Sequence, residues 1–435
     1  MKLIIDEYRI ASIQWGTSHV YEQGALTLSK DAVKSFLENE ACADELTLTE
    51  LDLICPGTKT RVINIFDVLP AHARLGDGAV DFPGFVGPVQ SVGDGHSAQL
   101  TDFSVLALSS LPSRYLKVLD KAGPGAQLSP YGSQFHVAFK AAPRDPDMKR
   151  SDYFVALKKM GLLLGGYLAR IAALSPSSPP RTVEYSLQSS SNNLQSSSDS
   201  LPKAVYVCML ASLQNWDKGE PILYGNDLAN MAPTILHPNE FLDGAAVAQN
   251  FNLGTDTYSF INHPIIKELY ARHGKDLDFA GVVVNASHIT RDQRERSAMM
   301  TCNLVKHTLK ADMAIFTKVG GGIPESDVMT AMESLEKQGV STAAVIWCQW
   351  GDGTVKDTLS AFSPAADALV SVGINDVMLR LPPQDRVIGG VSLDPLSDDP
   401  EAPPQPADQE IALRCRELCG AINQLGAANV SLAVR

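Results

Sequence analysis

The chain has 435 residues, with 36 Lys and Arg against 49 Asp and Glu, for a formal net charge of −13. That length exceeds what one hydrophobic core usually organises, so two or three domains are expected. The acidic balance argues against nucleic acid or an anionic membrane surface as a partner, and 45% hydrophobic with 20% charged residues reads as an ordinary soluble, cytoplasmic globular protein.

The start, MKLIIDEYRIASIQWG, reads as a strand and not as a signal peptide, because no charged segment precedes a long apolar core. Residues 1–150 read as a β-rich domain. Alternating stretches such as Thr60–Ile65 and Gln134–Phe139 are separated there by Gly, Pro and Asp turns. A helix follows from about Asp152 to Ala173. Lys158, Lys159, Arg170 and three glycines make its apolar run, Tyr153–Leu174, a poor membrane span. Residues 175–202 are rich in Ser, Pro and Asn and read as a linker or surface loop, closing a unit over 151–203.

From 204 to 392 the pattern changes. Ala204–Leu210, Phe279–Asn285, Met313–Lys318, Ala343–Cys348 and Ala368–Val372 are short apolar runs of the buried parallel-strand type. Helices alternate with them: one from Pro264 to Gly274, one with Ala298, Cys302, Val305 and Leu309 on one face, and one from Pro324 to Gly339. The fold class is therefore α/β, a β-rich N-terminal domain followed by a doubly wound, mostly parallel α/β domain. Residues 393–435 read as a proline-rich acidic stretch and a final helix carrying Cys415 and Cys419. Seven cysteines without a CxxC pair suggest reduced thiols, and no HxH or HExxH supports a metal site.

In open α/β sheets, ligands bind beyond the carboxyl ends of the strands. Three loops fall there: Tyr224–Tyr258, Gly320-Gly321-Gly322 before Pro324, and Gln349–Gly353. The triple glycine permits close backbone approach to a ligand, and the helix start after it favours an anion. It lacks both the Lys-Ser/Thr of a P-loop and the GxGxxG spacing. Arg296, within Arg291–Ser297, is suited to clamp a substrate carboxylate. His237 and Glu240 are the acid–base candidates, and His237 and His263 bracket the segment between them.

Pro233-Thr234-Ile235-Leu236, Pro238, Glu240, Asp243, Gly244 and Asn250 fall in one run, with Phe82-Pro83-Gly84, Val92–Gly95 and Gly123–Ala126 before it and His273–Asp276 after it. Together they resemble the component B proprotein subunits of the glycine/sarcosine/betaine reductases and, more distantly, the D-proline reductase proprotein. In that family the run leads to an Asn-Cys pair; the chain is cut there, and the Cys becomes an N-terminal pyruvoyl group. The resemblance implies an oxidoreductase hetero-oligomer of amino acid metabolism. In it this subunit works beside a polypeptide carrying a redox-active Cys or selenocysteine, on a small-molecule substrate.

Here Asn250 is followed by Phe251. Pyruvoyl formation needs a heteroatom on the β-carbon, to take over the acyl group and then leave by elimination. Phenylalanine has none. The expectation is an uncleaved chain without pyruvoyl and with no other cofactor of its own. Substrate is expected between Asn250, Phe251 and Tyr258 on one side and Arg296, Gly320, Gly321 and Gly322 on the other. The Phe251 ring would meet a substrate cation by its face. Two further readings are a non-catalytic scaffold subunit and a non-reductive C–S cleaving enzyme that uses a partner Cys.

Overall fold

The computed structural model describes residues 1–42, 44–112, 116–175, 181–188, 201–212, 220–249, 254–348, 359, 361–365, 368–394 and 403–428. The fold is α/β. Two larger sheets and a three-stranded one, of order Ser12–Gly16, Ala25–Ser29, Val20–Glu22, build the N-terminal part. One larger sheet has the order Arg181–Ser186, Lys2–Arg9, Gly95–Thr101, His72–Leu75; the other runs Lys117–Asp120, Thr60–Leu69, Phe103–Ser109, Phe135–Pro143, Leu46–Ile54. The Arg150–Ala173 helix lies against both, apolar on nearly every side. It approaches closely because of its glycines: a Cβ at Gly161 would stand 2.3 Å from Leu69 Cδ1, and one at Gly165 2.3 Å from the Pro70 carbonyl.

The second domain is a six-stranded sheet in the order Thr234–Leu236, Asp278–Ser287, Lys203–Ser212, Met313–Lys318, Ser341–Cys348, Leu369–Ile374. The last five are parallel and Thr234–Leu236 is an antiparallel edge. Alternation in the central Lys203–Ser212 strand explains its continuous apolar run. Ala204, Tyr206, Cys208 and Leu210 pack into one core, with Ile266 and Leu269 of the Pro264–Arg272 helix. Val205, Val207 and Met209 pack into another, with Cys302 of the Arg291–Asn303 helix and Val328, Met332 and Leu335 of the Ile323–Glu336 helix. Both faces are covered, as a parallel sheet requires. Strand order reverses between Lys203–Ser212 and Met313–Lys318, so a crevice opens beyond their carboxyl ends.

Three regions differ from the sequence reading. Arg181–Ser186, inside the expected linker, is a strand antiparallel to Lys2–Arg9. The α/β sheet ends at Ile374, and Arg386–Ile388 pairs instead with Thr60–Leu69 of the N-terminal domain. The expected final helix is a strand, Ile411–Arg414, paired with Met378–Leu381, followed by one 3-10 turn at Cys415–Glu417. Arg61 accounts for the extended C-terminal path. It is fully buried and bidentate to Asp120 at 2.7 and 2.9 Å, and its remaining N–H groups donate to the carbonyls of Pro382, Ala407 and Gln409 at 2.7–2.9 Å. These carbonyls lie on the approach to the stretch carrying Cys415 and Cys419, where pairing of Ile411–Arg414 with Met378–Leu381 stands in place of the expected helix.

Candidate functional site

The Pro233–Gly244 motif builds a joint between the domains. Thr234–Leu236 runs antiparallel to Asp278–Ser287, with Leu236 opposite Val282, so the chain travels away from the carboxyl edge. Pro238 opens the short Pro238–Leu242 helix. His237 caps it by accepting from the Asn239 N–H at 3.2 Å, and burial pushes the His237 pKa down to about 4. Glu240 completes the capping box: its carboxylate accepts from the His237 N–H at 2.6 Å and from the Tyr224 hydroxyl at 2.6 Å. The acid–base candidates thus sit at the amino half of the sheet, engaged with backbone and with Tyr224.

Asp243 is wholly buried. It accepts from Ser97 Oγ at 2.7 Å and from the Gly93 N–H at 2.8 Å, and lies 3.1 Å from both His72 Nε2 and Arg74 Nε. Gly244 follows at φ +95°, where a Cβ would come within 3.1 Å of the Phe82 ring. Every one of these partners belongs to the N-terminal domain.

The chain then returns to the carboxyl edge. Gln249 Nε2 donates to the Leu210 carbonyl at 3.2 Å, near the end of the central strand. Asn250 and Phe251 lie outside the described residues, but both flanks of their segment are held. Upstream, Lys158 Nζ donates to the Ala248 carbonyl and stands 3.3 Å from Asp67. Downstream, Thr257 donates to the same Asp67 carboxylate from its hydroxyl at 2.6 Å and its N–H at 3.0 Å, while the Ala248 N–H donates to the Thr257 hydroxyl at 3.2 Å. One buried carboxylate of the N-terminal domain therefore clamps both ends. Gly254 packs under Trp347, with a would-be Cβ 3.2 Å from the ring, and its carbonyl accepts from the Gln424 N–H at 2.7 Å. Asn423 reaches Ser259 Oγ at 2.7 Å, so the C-terminal segment closes over the same place. Three deeply buried polar atoms here have no hydrogen-bond partner among the described residues: Gln249 Oε1, Thr255 Oγ1 and Trp347 Nε1.

Gly320, Gly321 and Gly322 join Met313–Lys318 to the Ile323–Glu336 helix, with Gly320 and Gly322 at positive φ. The expected anion site is altered by what surrounds it. Fully buried Lys318 donates to the Gly320 carbonyl at 2.6 Å, lies 3.3 Å from Glu325 and stands 5.5 Å over the Trp347 ring. Burial pushes the Lys318 pKa down to about 8 against the opposing pull of Glu325. Glu325, in the first helical turn, already supplies the negative charge that this helix start favours.

Arg296 lies elsewhere on the edge. It is exposed and lines a 170 Å³ cleft with Met231, Pro233, His288, Gln293 and Met300. Tyr258 turns toward the N-terminal domain and meets Tyr131 edge-on at 5.6 Å. The Gln349–Gly353 loop is outside the described residues. Among the described residues no three His, Cys, Asp or Glu side chains gather to hold a metal, and no helix is long and apolar enough to cross a membrane.

Asp67, Lys158, Trp347 and Lys318 escaped the sequence reading. Lys158 had a signal, a charge inside an apolar helical run. Lys318 and Trp347 stood at the ends of apolar strand runs, where carboxyl-edge side chains belong. Asp67 had none.

A doubly wound sheet packed beside a β-rich part, with one segment pinned between them, makes that segment the candidate site. The chain belongs to the family of glycine/sarcosine/betaine reductase component B subunits, whose family model matches residues 1–432. It is similar to the glycine reductase complex component B subunits alpha and beta of Acetoanaerobium sticklandii, at 29% identity over 398 residues covering 91% of this chain and 90% of the relative. It is similar to the protein of the same description from Peptoclostridium acidaminophilum, at 28% over 431 residues covering 98% of each. The sarcosine reductase complex component B subunit alpha of that organism is 27% identical over 392 residues, 89% of each chain. No solved structure matches the chain.

Proposed function

We propose that this chain is an uncleaved, pyruvoyl-free subunit of a reductase complex. In this reading it holds a small amine substrate while a partner subunit's redox-active Cys or Sec cleaves the carbon–heteroatom bond. The observation that carries the reading is Phe251 after Asn250. The residues present do not fit a pyruvoyl group. Phe251 has no β-heteroatom; of the downstream hydroxyls, Thr257 and Ser259 are committed to Asp67 and Asp256 at 2.6 and 2.7 Å, and Thr255 is displaced from the position that follows Asn250. The clamp on both flanks supports a retained binding role for the segment.

Six of the seven thiols support a partner of this kind. Burial pushes Cys42 and Cys208 up to about 11 and raises Cys55, Cys302, Cys415 and Cys419 as well. Such thiols stay protonated at neutral pH and make poor nucleophiles. A redox-active Cys or Sec supplied by a second polypeptide fills that gap.

Co-purification with intact-mass measurement tests both halves. One 46.7 kDa species together with a thiol- or selenol-bearing subunit is expected. Two fragments meeting near Asn250, or turnover by the isolated chain that thiol alkylation leaves unchanged, would overturn the proposal.

A further inference from the structure

Gln249, Thr255 and Trp347 are only 3%, 2% and 5% exposed, yet Gln249 Oε1, Thr255 Oγ1 and Trp347 Nε1 have no partner among the described residues. A buried polar group left unmatched is costly and uncommon in a native fold. Three of them beside one segment point to a ligand.

Strand register puts the three on one stretch of the carboxyl edge. Met209 is opposite Lys318, and Thr317 is opposite Val345. Leu210 and Trp347 therefore stand level across the Met313–Lys318 strand, about 10 Å apart at two strand spacings. They also share a face of the sheet. Ala344 and Ile346 pack into the core of Val205, Val207 and Met209, so alternation turns Trp347 to the opposite face, where Leu210 packs. Gln249 is held to the Leu210 carbonyl at 3.2 Å. Gly254 lies against the Trp347 ring, and Thr255 follows it in the chain.

Each group has a fixed role. Trp347 Nε1 can only donate. Gln249 Oε1 can only accept, because the NH2 end of that amide is on the Leu210 carbonyl. Thr255 can do either. The set asks for an N–H donor and a carbonyl acceptor side by side. It also asks for a neutral group, since the buried cations Lys318 and Lys158 already have Glu325 and Asp67 at 3.3 Å. A carboxylate would satisfy Trp347 and Thr255 but set a lone pair against Gln249 Oε1. It would also bring a charge that the paired lysines do not answer. A carboxamide matches all three groups and stays neutral.

We propose that Gln249, Thr255 and Trp347 bind a neutral carboxamide, so that the small amine taken by this chain carries an amide where an amino acid carries a carboxylate. The assignment rests on the amine-binding reading above and names the other end of its ligand.

Calorimetric titration of the full chain with glycinamide and glycine tests this, with acetamide and acetate as the same pair without the amine. Each amide is expected to bind about 5- to 150-fold tighter than its carboxylate, the scale of one buried group left unmatched. Trp347→Phe and Thr255→Val each remove one unmatched atom and keep the shape. Each should weaken the amide about 2- to 10-fold, the scale of one hydrogen bond. Neither should lower the melting temperature without ligand, because no protein hydrogen bond is lost. Glycine binding as tightly as glycinamide, or tighter, overturns the amide assignment and leaves the amine-binding reading standing. So does an amide preference that survives undiminished in both variants, or a melting temperature that falls in both at unaltered amide affinity. Failure of the chain to bind any of the four compounds, alone or with its partner subunit, overturns both readings.

Discussion

Replacing Asp243 by Asn separates a structural from a reactive role for the family motif. The Asp243 carboxylate is 0% exposed, and its two oxygens divide four groups. Oδ1 serves Ser97 Oγ and His72 Nε2, and Oδ2 serves the Gly93 N–H and Arg74 Nε. In Asp243→Asn the Arg74 guanidinium loses its counter-charge; an NH2 group on the Oδ2 side would face two donors, the Gly93 N–H and Arg74 Nε, while on the Oδ1 side it would force the Ser97 hydroxyl and His72 Nε2 to accept. Breaking a buried pair from one side costs about 3–5 kcal/mol. With a urea slope of about 3 kcal/mol per molar or somewhat more for a chain of this size, the midpoint should fall by about 1 M. Glu240→Gln retains part of the capping box and should cost only about 1 kcal/mol, the scale of a helix cap. Tryptophan fluorescence during urea unfolding measures both, and an unchanged slope would show that stability alone has moved. A midpoint within about 0.3 M of wild type, the resolution such slopes allow, combined with lost substrate binding, would refute the structural assignment and make Asp243 a reacting group.

Phe251→Ala should weaken binding of the small amine at nearly unchanged melting temperature; a lower melting temperature with normal affinity would reduce Phe251 to packing. His263 is fully buried 2.9 Å from the Tyr206 hydroxyl, and burial pushes its pKa down to about 3, against about 6.5 in the unfolded chain. The native state therefore refuses a proton that the unfolded state accepts, so this contribution is complete above about pH 6.5 and lost as pH falls toward 3, at a limiting slope of about 1.4 kcal/mol per pH unit. Asp256, raised by burial to about 6, acts with the opposite sign: its contribution is lost as pH rises through about 6. The difference between wild type and His263→Asn in acid unfolding isolates the histidine, and parallel profiles would refute it. Lys318→Met should destabilise the chain more than the double variant Lys318→Met/Glu325→Leu, because the single change strands a buried carboxylate; equal costs in urea would show that the two do not act as a pair.

Periodicity made much of the fold legible. The parallel strands predicted at 204–210, 279–285 and 313–318 are observed at Lys203–Ser212, Asp278–Ser287 and Met313–Lys318, because a strand buried on both faces leaves an apolar run that nothing else of that length explains. The helix predicted from Asp152 to Ala173 begins two residues earlier, at Arg150. The C-terminal segment was not legible. Its path is set by the long-range demand of buried Arg61 for the carbonyls of Pro382, Ala407 and Gln409, and no local pattern encodes a partner more than three hundred residues away. The site was half legible. Sequence placed the segment before Tyr258 at the carboxyl edge, and Gln249 and Gly254 flank it there. Asp67, which holds both flanks, is one acid in an ordinary strand and gives no sign of its role.

The motif that carries the family resemblance is engaged in holding the two domains together. Glu240 caps a helix, Asp243 gathers donors from the N-terminal domain, and Gly244 lets the chain pass Phe82. These demands are the same whichever residue stands at position 251. The clamp behaves likewise: Lys158 holds the Ala248 carbonyl and Asp67 holds Thr257, and none of these contacts involves the side chain at 251. A sequence can then keep the joint and the clamp while exchanging the residue between them. The fold alone does not require a nucleophile at that position, and matching motif residues report the architecture that delivers the segment.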